Sequence, residues 1–134
     1  MDETLINQLY SIVMGRVKKC EKNGECDIYC KGPILTKPNG TQYGRVSKVV
    51  NGKEMKAYAH RVSKLYHSVD VPEHIKKLPC SHLCHNGLCV NPSHIVFELD
   101  MYNNQRKICK GRKEGCIGHV DQEGNPLPNC IIFE

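Results

Sequence analysis

The segment Cys80–Cys109, CSHLCHNGLCVNPSHIVFELDMYNNQRKIC, decides how this chain folds. It contains four cysteines and three histidines, followed by a polar stretch that holds two adjacent asparagines. Cysteine thiolates and histidine imidazoles are the side chains that most often bind zinc in proteins. Core packing alone does not require so many of them in so short a stretch, so the segment predicts a structure built around bound metal.

The composition of the whole chain agrees with a metal-built fold. Its 134 residues suffice for one domain, yet they include no tryptophan and only two phenylalanines, and the mean hydropathy is -0.47. A large apolar core is therefore not expected, and such a chain needs a cross-linking device. The nine cysteines supply it, either as zinc ligands or as a disulfide framework. Their odd number and the histidines interleaved among them favour zinc.

The N-terminal sequence MDETLINQLYSIVMGRVKK bears on where the protein works. It begins with acidic residues and has neither an uninterrupted apolar stretch nor a small-residue cleavage site, so it is unlike a signal peptide. We therefore expect an intracellular protein, nuclear if the host is a eukaryote, and not a secreted one. No apolar run reaches the length of a membrane span, so no membrane partner is expected.

The N-terminal half of the chain shows a helix, an irregular region, a hairpin and a second helix. Apolar spacing predicts a helix over residues 3–18 with Asp2 or Thr4 as its N-cap, and the polar residues 18–40 predict irregular structure. Two β-patterned runs joined by Asn51-Gly52 predict a hairpin over residues 42–59. Residues 58–67 suit a short helix, in which we interpret His60 as a packed or capping histidine.

The predicted hairpin is basic. Its cations are Arg45, Lys48, Lys53 and Lys56, and the net charge of the whole chain is +5. A two-stranded ribbon has the size that enters the major groove of DNA, and a basic protein favours a polyanionic partner. The alternative interpretation is a solvated outer face whose lysines deter edge-to-edge pairing. The sequence leaves both open.

Two groups of residues have zinc-ligand spacing. In the first, Cys84, Cys89 and His94 lie on one short loop and need a fourth ligand from elsewhere in the chain. We predict Cys30, which precedes the turn-forming Lys-Gly-Pro sequence, with Cys20, Cys26 and Cys80 as alternatives. The second group comprises Cys109, Cys116, His119 and Cys130 in a glycine-rich tail that has little else to order it. A disulfide plus a free thiol is the alternative for the tail.

Two further residues of the central segment, His82 and Asn103, are candidates for a catalytic role. His82 lies two residues before Cys84, where a strand would hold it rigidly beside the metal loop and leave it able to act as a base. Downstream, Asp100 can cap a helix that carries Asn103 and Asn104. An asparagine facing such a histidine offers a hard oxygen ligand suited to Mg²⁺.

The motif SHLCHNGLCVNPSHI followed by NNQRKIC resembles the His-Cys box homing endonucleases, members of the His-Me finger (ββα-metal) nuclease superfamily. The resemblance implies an α+β fold, a small zinc-stapled domain with a β-sheet for DNA and a ββα-metal core. Residues 1–134 would form one domain: an N-terminal helix and cysteine-rich segment (1–40), a DNA-binding hairpin (41–60), the ββα-metal core (80–109) and a second zinc-binding tail (109–134).

The resemblance also implies a function, the Mg²⁺-dependent hydrolysis of phosphodiester bonds in double-stranded DNA. His82 would be the general base, Asn103 the protein ligand of the catalytic Mg²⁺, and Arg45 a grip on the scissile phosphate. One structural zinc would be bound by Cys30, Cys84, Cys89 and His94, and the other by the four ligands of the tail. The alternatives are a catalytically inactive, sequence-specific DNA-binding module and a zinc module for protein contacts.

The oligomeric state is left open by the resemblance. The characterised family member dimerises by exchanging a long C-terminal tail, whereas this sequence ends at Glu134, shortly after Cys130. A homodimer with another interface and a monomer that nicks one strand are both compatible with the sequence.

Overall fold

A computed structural model describes residues 2–20 and 26–131 of the chain, with the side chains of residues 19 and 20 outside the description. The helices are α1 (Glu3–Met14), α2 (Ala59–Tyr66), α3 (Glu73–Lys76) and α4 (Asp100–Arg106), with 3-10 turns at Pro92–His94 and Lys107–Cys109. The strands are β1 (Val17–Cys20), β2 (Cys26–Tyr29), β3 (Ile34–Thr36), β4 (Gln42–Val50), β5 (Lys53–Tyr58), β6 (Cys80–His82) and β7 (Ile95–Phe97).

The N-terminal helix forms as its sequence predicts, although it is shorter. The Asp2 side chain caps α1 by accepting a hydrogen bond of 2.7 Å from the Leu5 N–H, which satisfies one of the helix's unpaired donors. Gly15 follows the last helical residue, and strand β1 begins at Val17. None of the helices in the described part of the chain combines the length and the apolar character needed to cross a bilayer.

The prediction of irregular structure over residues 18–40 is wrong for the described part of that range, since residues 21–25 lie outside the description. Strands β1 and β2 pair antiparallel, and β3 pairs with β4. Strand β2 is also bonded to the metal loop, because Tyr29 N–H donates to the Leu88 carbonyl and Val90 N–H to the Asp27 carbonyl, at 2.9 and 2.8 Å. These partners lie far away in the sequence, so the local composition of the segment does not reveal them.

The hairpin prediction is confirmed, with one addition. Strands β4 and β5 pair from Arg45–Tyr58 to Val50–Lys53, and the connecting Asn51 and Gly52 have φ angles of 52° and 76°. Both residues take the left-handed conformation that a type I′ turn requires. Strand β3 extends the pair to a three-stranded sheet in the order β3-β4-β5, which replaces the two-stranded ribbon that the sequence predicts.

A small apolar core lies where α1 and α2 pack against the inner face of this sheet. Its buried members are Leu5, Leu9, Val13, Tyr29, Val46, Ala59, Val62 and Val90. Tyr29 is fully buried, and its hydroxyl donates to the Arg45 carbonyl at 2.7 Å and accepts from Arg16 at 2.9 Å. The ring lies directly beneath Gly44, which makes that glycine a packing requirement of the core.

The central segment forms a ββα unit, as predicted. Strands β6 and β7 pair antiparallel, with His82 opposite Ile95, and α4 follows β7 directly. The loop between the strands, residues 83–94, carries three of the predicted zinc ligands. Asp100 is the first residue of α4 and not its cap, since Leu99 occupies the cap position without a side-chain hydrogen bond.

The contact between Gly44 and Tyr29 gives a test of the core. A Cβ at position 44 would overlap the Tyr29 ring, so Gly44→Ala should lower the free energy of unfolding by about 1–3 kcal/mol. Urea denaturation of the zinc-loaded protein, followed by circular dichroism, measures the change. Gly15→Ala is the matched control, because a Cβ there lies an ordinary 3.6 Å from the Ile12 carbonyl. Equal midpoints for the two variants would contradict the packing described here.

Candidate active site and metal centres

The first candidate metal centre is a cluster of four buried side chains, Cys26, Cys84, Cys89 and His94. Their potential ligand atoms all lie within 4.8 Å of one another. His94 Nδ1 is 3.4 Å from Cys26 Sγ and 3.5 Å from Cys89 Sγ. Hydrogen bonding from Cys84 lowers the pKa of the Cys89 thiol to about 5, against the effect of burial. Three sulfurs and one imidazole nitrogen in this arrangement are the donor set of a structural zinc site, so the residues fit that ion.

Cys30 is not part of this cluster, and its prediction as the fourth ligand is wrong. Strand β2 pairs with the metal loop so that Asp27 is bonded to Val90 and Tyr29 to Leu88, which places Cys26 at the end nearest His94. Cys30 is four residues further on, roughly 13 Å along an extended chain, and its side chain is exposed. The turn after Cys30 suggested a ligand position, but strand pairing selects Cys26.

Of the other two alternatives for that ligand, Cys80 also falls outside the cluster. Cys80 lies beside Arg61, whose guanidinium is 3.5 Å from its sulfur, and burial raises the pKa of its thiol to about 11. The side chain of Cys20 lies outside the described residues.

The metal loop keeps its shape through hydrogen bonds of its own. Asn86 Oδ1 accepts from the Leu88 N–H at 3.1 Å, and Asn91 Oδ1 accepts from the Ser93 N–H at 3.0 Å. These asparagine turns bend the chain tightly and so bring Cys84, Cys89 and His94 together. From α2, Ser63 Oγ donates to the Val90 carbonyl at 2.6 Å and fastens the loop to the apolar core.

The second candidate metal centre consists of Cys109, Cys116, His119 and Cys130, the four residues predicted from the tail sequence. Their ligand atoms also lie within 4.8 Å of one another. His119 Nε2 is 3.4 Å from Cys109 Sγ and 3.5 Å from Cys130 Sγ. The sulfurs of Cys109 and Cys116 are 3.9 Å apart, well beyond the ~2.0 Å of a disulfide bond. The donor set again fits a structural zinc.

A buried ion pair ties this second centre to the ββα unit. The Arg106 guanidinium, on α4, donates to both carboxylate oxygens of Glu98 at 2.7 and 2.9 Å. It also donates to the Pro128 carbonyl at 2.7 Å and lies 3.5 Å from Cys130 Sγ. The bidentate pair fixes the guanidinium in one orientation, and the contacts of that guanidinium with Pro128 and Cys130 attach the tail to α4.

His82 is held with one ring nitrogen already occupied. Its Nε2 is 2.9 Å from the Cys89 carbonyl, and a carbonyl can only accept, so Nε2 carries the proton and Nδ1 is the basic nitrogen. Burial lowers the pKa of His82 to about 4. The imidazole is therefore neutral near pH 7, the state that a general base requires. The carbonyl that orients it belongs to a ligand of the first cluster.

His82 and Asn103 line the same cleft. This cleft has a volume of about 280 Å³, and its wall also includes Tyr43, His85, Lys107 and Lys110. Asn103 comes from α4, whereas His82 comes from β6, so the ββα arrangement itself brings the two residues together. A base and an amide oxygen facing one water-accessible space can act on a substrate bound between them.

His60 contributes to this site in a way that the sequence does not predict. Its packed environment is confirmed, since the side chain is 5% exposed. The packing partner is His82 itself, with ring centroids 4.4 Å apart, and Tyr43 and Tyr58 surround the pair at 5.5 and 5.6 Å from the His60 ring. Burial, and then the neighbouring His82, hold the pKa of His60 well below its usual value. The rings of His60, Tyr43 and Tyr58 thus form an aromatic cluster that supports the His82 ring.

The basic residues of the hairpin divide between the two faces of the sheet. Arg45 stands opposite Tyr58 and Lys56 opposite Ser47, so alternation places Arg45 and Lys56 on the outer face together with Tyr43. Lys48 and Lys53 lie on the other face, beyond the edge of the apolar core. Arg45 and Lys56 line a groove of about 200 Å³ that is distinct from the His82 cleft, and Arg45 is not a wall residue of that cleft.

A ββα unit with two zinc-type clusters and a histidine–asparagine cleft defines a zinc-stapled domain of the His-Me finger type. Over residues 16–133 the chain matches the family model described as the zinc-binding loop region of homing endonuclease. The match covers most of the chain, and the protein belongs to this family. Membership indicates a nuclease or DNA-binding role, with DNA as substrate or partner.

The identity of the fourth ligand in the first cluster can be tested with a matched pair of substitutions. Cys26→Ser should release the zinc of this cluster to a chelator much faster than wild type, because the site loses one of its four donors. Cys30→Ser should leave both the zinc content and the release rate unchanged. Metal analysis and a colorimetric zinc-release assay provide the measurements. Normal retention in Cys26→Ser with loss in Cys30→Ser would reverse our assignment.

Proposed function

We propose that this protein is an Mg²⁺-dependent endonuclease that hydrolyses phosphodiester bonds in double-stranded DNA. One observation carries the proposal: the basic nitrogen of an oriented, neutral His82 and the amide of Asn103 belong to the same cleft. The family match is consistent with this activity. Because its proposed substrate, DNA, is located inside the cell, we also propose an intracellular site of action, which would be the nucleus in a eukaryote.

His82 accepts the proton of the attacking water. Its Nε2–H bond to the Cys89 carbonyl holds the ring in one orientation, so that Nδ1 takes the proton as the water oxygen bonds to phosphorus and the bond to the 3′ oxygen breaks. The departing 3′ oxygen takes a proton from solvent water, so the products are a 5′-phosphate and a 3′-hydroxyl. A phosphate anion beside the ring favours the imidazolium. Substrate binding therefore raises the pKa of His82 from its low resting value and improves it as a base.

Asn103 is the proposed protein ligand of the catalytic metal ion. Among the described residues of the cleft wall, two have a side-chain amide, Asn103 and Asn39, and none has a carboxylate. Asn103 belongs to the same ββα unit as His82. Mg²⁺ commonly keeps several water ligands and uses few protein groups together with substrate phosphate oxygens, which a single amide satisfies. When bound, the ion would stabilise the negative charge that develops on the phosphate and on the leaving oxygen.

The outer face of the sheet is the proposed approach for DNA. Tyr43 belongs both to this face and to the wall of the His82 cleft, so the face that carries Arg45 and Lys56 continues directly into the site. These two cations would neutralise backbone phosphates next to the bond that is cut. We retain Lys48 and Lys53 as proposed DNA contacts at the tip of the hairpin, where β4 and β5 meet.

Removing the proposed base should greatly slow cleavage without loss of DNA binding. His82→Ala should lower the cleavage rate by about 10²–10⁴-fold, the usual contribution of a general base, while its zinc content stays at the wild-type value. A plasmid library with randomised inserts, incubated with Mg²⁺ and sequenced at the broken ends, detects cutting without knowledge of the site. His74→Ala is the control, because His74 is exposed and lies outside the cleft.

The outcome separates nuclease activity from simple DNA binding. If the wild-type protein binds the library but yields no cut ends with Mg²⁺, it is a DNA-binding module and not an enzyme. If His82→Ala cuts as fast as wild type, another group must act as the base.

Asn103 should control the requirement for Mg²⁺. Asn103→Ala should need a higher Mg²⁺ concentration for half-maximal cleavage and should cut more slowly at saturation, because the ion loses its protein ligand. Asn104→Ala provides the control, since this neighbour is exposed and lies outside the cleft wall. Titration of Mg²⁺ against the initial rate measures both effects. An unchanged Mg²⁺ profile in Asn103→Ala would remove Asn103 from the metal site.

A further inference from the structure

The cleft contains two lysines that the proposed chemistry has not yet used. Lys107 and Lys110 belong to its wall, together with Asn103 and the histidines of the metal loop. Arg45 lines the separate groove on the sheet. Within the described part of the cleft wall, the positive charges therefore come from the segment that follows α4.

The spacing of these residues gives them a common orientation. Asn103, Lys107 and Lys110 are separated by four and three positions, and α4 passes directly into the 3-10 turn Lys107–Cys109, with Lys110 N–H bonded to the Lys107 carbonyl at 3.3 Å. Side chains three and four residues apart share one side of a helix. All three residues line the cleft that also contains His82, so they form a single row along its wall.

No ion pair among the described residues neutralises the two lysines of this row. The ion pairs among the described residues join Lys56 to Glu54, Lys76 to Glu73 and Arg106 to Glu98, and neither cleft lysine takes part in one. Of the acidic residues next to α4, Glu98 is engaged at both carboxylate oxygens by Arg106, and Asp100 lies at the opposite end of the helix from Lys107. A concave site with uncompensated positive charge attracts and concentrates anions.

Buried contacts also fix the backbone that carries Lys107 and Lys110. Lys107 and Lys110 flank Cys109, whose fully buried sulfur is a member of the second cluster. Arg106, immediately before Lys107, is anchored to Glu98 and to the Pro128 carbonyl. The backbone beneath the two lysines is therefore fixed, although the lysine side chains themselves are exposed and can reach a ligand.

We propose that Lys107 and Lys110 bind the scissile phosphate when it enters this cleft. Arg45 would contact phosphates further along the sheet. The inference rests on the proposed nuclease function, since that function puts the scissile phosphate between His82 and Asn103. The attacked phosphate gains negative charge as water adds, and fixed cations stabilise that charge most in the transition state.

Kinetics and salt dependence test this assignment. Lys107→Gln and Lys110→Gln are compared with Lys113→Gln, which removes the same charge from an exposed position outside the cleft. Each cleft variant should lower kcat/KM for a selected duplex by about tenfold or more, as expected for the loss of a charge-assisted contact of ~1.5–3 kcal/mol. The loss should include kcat, and Lys→Arg at the same position should recover part of it. Lys113→Gln should stay within about twofold of wild type.

Binding of an uncleavable complex gives an independent measurement. In the His82→Ala background, the plot of log Kd against log NaCl concentration for the same duplex should become shallower by about 0.9 for each cleft lysine removed. Zinc content and thermal midpoint serve as folding controls. If wild type cuts the duplex but the two cleft variants match Lys113→Gln in both assays, the lysine assignment is wrong and the nuclease proposal stands. If wild type does not cut, the nuclease proposal itself fails.

Discussion

The contact between Cys26 of strand β2 and the three ligands of the metal loop holds this molecule together. The apolar core is small, with eight buried members, and it reaches the ββα unit mainly through Val90 and Ser63. The cluster of Cys26, Cys84, Cys89 and His94 makes the second connection between the N-terminal and central parts. Four strong metal–ligand bonds would replace the apolar area that a chain of this composition does not have.

The cleft lined by His82 and Asn103 lies between elements that the two candidate zinc clusters hold in place. On one side, the loop of the first cluster presents the Cys89 carbonyl that orients His82. On the other, the tail cluster and the Arg106–Glu98 pair fix the segment that carries Asn103 and the two lysines. Neither cluster needs to take part in the chemistry, because its contribution is positional. A base and a metal ligand on separate elements stay aligned only if both elements are rigid.

Much of this arrangement follows from local sequence, and the remainder depends on distant pairing. Ligand spacing identified Cys84, Cys89 and His94, and also the whole tail cluster, because those residues lie close together in the chain. The Asn51-Gly52 turn located the hairpin for the same reason. The choice of Cys26 over Cys30 depends on the pairing of β2 with residues 88–90, which no local pattern encodes. His60 was visible as a packed residue, but its contact with His82 joins α2 to β6.

The placement of charged surface residues was the least predictable feature. Four basic residues on the predicted hairpin suggested a DNA-binding ribbon, and in the folded sheet they divide between its two faces. Lys107 and Lys110 lie in a polar run whose composition is ordinary for a solvated surface. Their position in the cleft follows only from the passage of α4 into a 3-10 turn and from the anchoring of Cys109, both of which are properties of the folded tail.

Cys26 lies far from Cys84, Cys89 and His94 along the chain, and this separation affects when the first metal centre can form. The loop that this cluster closes runs from Cys26 to Cys84 and includes the three-stranded sheet and α2, so all of that region must be synthesised before the first centre can form. Formation of the first cluster also positions the Cys89 carbonyl that orients His82. In the proposed endonuclease, formation of the cleft is thus coupled to zinc binding, and a chain that has not acquired metal is expected to lack an oriented His82.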